Sequence, residues 1–159
     1  MYFFEETPGV RRLPPERLRD ALIAIGEVMA PAIEVVVENH IDQAAPVIIE
    51  GDAILPPLLA RPPVRERATR SRVRAIFIVE PDESVILANT VTRGRGMAGW
   101  GEQEVGTNAR TMWLYGRWLA EQAQHHGLPT LEPRPWATLV ERIVAASGAV
   151  GTDPSLRSG

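Results

Sequence analysis

The sequence contains no cysteine and no lysine; each of its 17 basic residues is an arginine. Without cysteine there can be no disulfide, no thiolate nucleophile and no cysteine-ligated zinc. Without lysine there is no Schiff-base chemistry. The phosphate-cradling loop GxxxxGK[ST], whose lysine reaches the β and γ phosphates, cannot be built from these residues either. Arginine can still clamp phosphate through its planar fork of donors. Long apolar runs are missing as well. None approaches the roughly 20 residues that span a bilayer, and "MYFFEETPGVRR" lacks the basic, apolar, small-residue order of a signal peptide. The expectation is a cytoplasmic protein with no membrane partner.

What is present fits one globular domain. The chain has 159 residues, 45% of them hydrophobic, and a formal net charge of −3, enough to bury a core. Residues 1–147 read as a single domain, and the small, polar stretch 148–159 as a disordered tail. "RPPVRERATRSRVR" is a basic, proline-broken loop, but the chain as a whole is acidic and carries no recognition motif, so no nucleic-acid partner is expected.

Pro14 and Pro15 open a long helical pattern with Leu18, Leu22, Ile25, Met29, Ile33, Val36 and His40 on one stripe. Pro31 inside it should kink the helix or split it in two. Val47, Ile48 and Ile49 form a β-branched run without alternation, as in a strand covered on both faces. A short helix is expected over 52–60 and a second buried strand within "VRAIFIVE". Pro81 and Asp82 then open a helix of about three turns, and "GRGMAGWGEQ" reads as a mobile loop. The longest helix is expected over 102–126, with Val105, Ala109, Met112, Gly116, Leu119 and Ala123 inward and Gly127 as a left-handed C-cap. "LPTLEP" can form a short strand, and "PWATLVERIVAAS" a final helix. Alternating strands and helices predict an α/β fold, a parallel sheet with helices on both faces, whose ligands collect at the carboxyl ends of the strands.

Glu50 and Asp52 end the first apolar run, "PVIIEGD", at that expected edge. An acid there suits the Walker B role of holding Mg²⁺ near nucleotide phosphates, and two could divide metal binding and proton acceptance. Equally, the pair could simply cap the next helix. Arg93 and Arg95 in "TRGRG" could close as a lid on a phosphoryl group, or form a solvated basic loop. Arg134 follows the third strand candidate. Trp113, Tyr115 and Trp118 suit a core or interface. His125 and His126 are adjacent on a helix and cannot easily share a metal.

Together "PVIIEGDAILP", "AIFIVEPDESVILAN…TRGRG" and "YGRWLAEQAQHHGLPTLEPRPWATLVERI" resemble the P-loop kinase-like ATPases near the 2-phosphoglycerate kinases and, more distantly, zeta-toxin-type and chloramphenicol-phosphotransferase-type kinases. The resemblance runs from Pro14 to Ala146. It implies a three-layer P-loop fold missing its first, phosphate-loop strand, and an ATP- and Mg²⁺-dependent phosphotransferase acting on a small-molecule acceptor. By that matching Glu50 and Asp52 are the catalytic and metal-holding acids, Arg93 and Arg95 the lid, Arg134 a nucleotide-side residue and Asn89 a polar group at the lid base. Because the family's amino-terminal strand and loop are missing, activity is expected to be weak or absent. The alternative is a non-enzymatic remnant serving as a binding or oligomerisation module. The missing strand would leave Val47–Ile49 and Ala75–Val79 to pair directly or across an interchain contact, and an exposed strand edge could support a homo-oligomer.

Overall fold

The computed structural model describes residues 8–61, 64, 73–93 and 99–148. A 3₁₀ turn over Pro8–Arg12 leads into helix α1, Pro15–Asp42. A second 3₁₀ turn, Pro56–Ala60, is followed by strand β1, Phe77–Ile78, and helix α2, Glu83–Arg93. Helix α3 spans Glu102–His125, strand β2 Thr130–Leu131, and helix α4 Leu139–Ala146 after a short 3₁₀ turn.

Local chemistry explains most of these boundaries. Proline at the first position of α1 has its φ already set and no N–H to orphan. Pro31 does not split α1, which stays helical through it although a proline there removes one backbone bond. Leu55, held extended by the proline after it, delays the expected 52–60 helix, so only a 3₁₀ turn forms from Pro56. At the end of α3, Gly127 has φ +65°, its N–H donates to the Gln124 carbonyl at 3.1 Å, and the Leu128 N–H donates to Ala123 at 2.8 Å. That is the glycine-terminated stop the sequence predicts.

Helix α3 is the hub, packing against α1, α2, β1 and β2. It buries Ala109, Thr111, Tyr115 and Ala123. Gly116 lets β1 lie close, since a Cβ there would come within 3.1 Å of Val79. The buried face of α1 is centred on Leu18, Gly26 and Ala30. It is rotated from the predicted stripe, whose Met29 and Val36 are exposed. The cause is Gly26: a Cβ there would lie 2.6 to 2.8 Å from the Leu55 side chain, so only glycine lets Leu55 lie against the helix. Ala30, Leu58 and Val64 continue this contact as a small core.

The expected three-layer parallel sheet is not formed. Among the described residues, helices hold 67% and the strands are one two-residue parallel pair, with Phe77 opposite Thr130 and Ile78 opposite Leu131. The Phe77 N–H donates to Pro129 at 3.0 Å and the Val79 N–H to Leu131 at 2.9 Å. Val47, Ile48 and Ile49 are not a strand and are exposed, Ile48 at 95%. β1 therefore pairs with β2, not with 47–49. A β-branched run favours a strand only where a partner and a packed face receive it, and among the described residues 47–49 has neither. The amino-terminal apolar residues, most of the basic 61–72 loop and the tail beyond 148 lie outside the described residues.

Candidate functional site

Of the six residues singled out from the sequence, the five that the structure describes do not converge. Glu50 and Asp52 lie in exposed chain, and Asp52 is held through its backbone carbonyl, which accepts the Tyr115 hydroxyl. They end no strand and cap no helix, because the turn that follows starts only at Pro56. Asn89 and Arg93 are exposed on α2, and Arg95 lies outside the described residues. No three His, Cys, Asp or Glu side chains come together to hold a metal among the described residues. Mg²⁺ takes a near-octahedral oxygen set, which an exposed Glu50 and Asp52 without a third ligand do not fit.

Only Arg134 lies where it was expected, at the carboxyl ends of a parallel strand pair. Its guanidinium donates to Glu80 at 2.8 Å. The acid facing it is thus Glu80, two residues beyond β1, not Glu50. The residues after Glu80 are all tied. Trp113 Nε1–H donates to the Pro81 carbonyl at 2.9 Å. Asp82 accepts the Ser84 N–H at 2.8 Å and its hydroxyl at 2.7 Å, which makes it the N-cap of α2. Those two bonds, with a smaller contribution from Arg134, hold its carboxyl below the usual carboxylate range. Arg110 donates to Glu83 at 2.6 Å while its guanidinium sits 4.3 Å from the Trp113 ring centre. From the other side Arg142 on α4 donates to the carbonyls of Glu132, Pro133 and Pro135 at 2.8 to 3.3 Å. Glu80 is paired with Arg134 and Glu83 with Arg110, so the arrangement is that of a structural joint.

No protein-family model, curated protein or solved structure matches this chain. A role must therefore come from the residues themselves.

Two of the depressions among the described residues border residues named above. One of about 110 Å³ lies between α1, the 52 turn and the start of α3, lined by Leu18, Asp52, Trp100, Glu104 and Asn108 among others. That is below the several hundred Å³ of a typical small-molecule site and too small for a nucleotide. The other, about 550 Å³, is bordered by Arg74, His125 and His126. His125 and His126 sit edge to face at 5.0 Å at the end of α3, the surface position expected for them. Tyr115, buried to 2% exposure beside the smaller depression, has its phenol pushed up to about 12, chiefly by burial and secondarily by the Asp52 charge.

The feature least expected from the sequence is the outer face of α1. Val28 is 79% and Val35 65% exposed, and Ala21, Ala24 and Ala32 beside them are exposed too. The signal was in the spacing. A second apolar row at intervals of three and four runs opposite the row that packs, as on a helix contacted from both sides.

Proposed function

We propose that this chain is a helical interaction module that seats another protein surface on the outer face of α1, in the cytoplasmic setting expected from the sequence. The observation that carries this is the exposed row of Ala21, Ala24, Val28, Ala32 and Val35. Contiguous apolar surface left in water marks an interaction site, and this row lies on the longest helix, a rigid element suited to presenting it. Val28→Glu tests the reading. At protein concentrations where the wild type is monomeric, it should leave the urea midpoint unchanged within about 0.5 kcal/mol, as for any exposed position. A large loss of stability would show that Val28 belongs to the protein's own core and would sink the proposal.

A phosphotransferase acting on a small molecule with ATP and Mg²⁺ is the second reading. One observation favours it: β1 and β2 run parallel and bring Glu80 and Arg134 to their carboxyl ends, where parallel sheets collect ligands. It ranks second because that pair is self-satisfied and a lysine-free chain has no group for the phosphate-loop role. Mg²⁺-dependent ATP binding at micromolar affinity, measured by calorimetry, would place it first.

A further inference from the structure

We propose that the occupant of this face is a second copy of the chain, its α1 lying antiparallel against the first. This deepens the interaction-module reading and rests on it. Ala21, Ala24, Val28, Ala32 and Val35 follow one another at intervals of three and four, and the same spacing places Arg17 at the amino end of the row and Asp42 at its carboxyl end. All seven are exposed.

Set antiparallel so that Val28 meets the second copy's Ala32, the row is complementary to itself. Ala24 then meets Val35, so each valine lies opposite an alanine, the alternation of large and small by which facing helices interdigitate. Arg17 meets Asp42 at both ends, because the two-fold axis repeats each contact. A parallel pairing would instead set valine on valine, alanine on alanine and Arg17 on Arg17. In the first turns of α1, Arg17 and Arg19 alternate with Glu16 and Asp20, whereas Glu34, Glu38 and Asp42 make its carboxyl half acidic. That acidic half argues against an anionic lipid surface as the occupant. A single pair of helices buries an area at the small end of specific interfaces, so the dimer is expected to form reversibly with concentration.

The lack of cysteine makes the geometry easy to read. Ala24→Cys and Val35→Cys proteins, mixed and treated with a short bismaleimide, should give a cross-linked heterodimer several-fold faster than either protein alone gives a homodimer. Sedimentation equilibrium of the wild type should show mass rising with concentration from 17.5 kDa toward twice that value. Val28→Glu should weaken this association at least about a hundredfold, since it buries two unpaired carboxylates at the centre of the contact. Preferential linking within each single-cysteine protein would overturn the antiparallel arrangement. A wild type monomeric at every concentration, with Val28→Glu still folded, would overturn the second copy as occupant while leaving the face available to another protein. Unfolding of Val28→Glu would overturn both readings.

Discussion

Two stretches of this chain look alike. VIIEGD ends at Asp52 and FIVEPD at Asp82; each is an apolar run closed by an acid, one intervening residue and an aspartate. The first is exposed, and the hydrogen bonds recorded at its acidic end run through backbone carbonyls: Tyr115 donates to Asp52, and the Ile54 N–H to Gly51 at 3.4 Å. The second pairs with β2, lies against α3, and ends in a corner where Glu80, Pro81, Asp82 and Glu83 all take part in hydrogen bonds. Sequence reasoning gave catalytic weight to the first and passed over the second. The difference teaches that an acid after an apolar run acquires a role only when tertiary packing supplies a strand partner and a facing cation.

The comparison can be broken most decisively at the apolar residues. Phe77→Ala should cost about 3–4 kcal/mol in urea unfolding, the usual penalty for emptying a buried aromatic site; Ile48→Ala should change stability by less than about 0.5 kcal/mol. Comparable losses at both sites would mean that 47–49 is buried in solution. Tyr115→Phe comes next, at about 1–2 kcal/mol, because it strands the Asp52 carbonyl. A pH profile sharpens that prediction. The phenol ionises near 10.0 in the unfolded chain and near 12 in the fold, so its contribution is complete below pH 10 and is lost as pH rises toward 12. Denaturation curves across that window should fall for the wild type, by up to about 2 kcal/mol, and less for Tyr115→Phe. A smaller effect separates the two aspartates. Asp82→Ala removes the cap of α2 and should lower the melting midpoint by about 2–4 °C, while Asp52→Ala leaves it nearly unchanged. Smallest is Arg134→Ala, about 0.5 kcal/mol for a part-exposed ion pair, fading at high salt. An Arg134→Ala loss that persists in high salt would show that the joint is held by more than this pair.

How much was legible follows from which interactions are local. Helices α1, α2 and α3 were readable near their observed limits, because prolines at 14, 15 and 81, the Asp82 cap and Gly127 act within a turn of their own positions, whereas α4 starts at Leu139, after a 3₁₀ turn, and not beside Pro135. Thr130–Leu131 was readable as a strand candidate, and Arg134 as a residue at the ligand-side edge. The sheet was not, because a strand's backbone groups are satisfied only by a partner distant in the chain. Val47 to Ile49 carries the stronger β-branched signal yet stays unpaired, while Phe77–Ile78 finds Thr130–Leu131 across the whole of α2 and α3. The site fared worse for the same reason. Glu50 and Asp52 were chosen for a strand that does not form, and Glu80 was passed over although its run has the same form.

The sequence by itself settled the chemistry this chain cannot perform with thiols or lysine amines, and the existence of the four α-helices among the described residues, since helical hydrogen bonds close within four residues. Only the tertiary structure decided which apolar run became a strand and which acid met an arginine. It also decided which side of α1 went inward. The helix is apolar on two opposite faces, and Leu55 settling on Gly26 selected one for the core. The face left in water, with Val28 and Val35 along it, is where the function is proposed to lie.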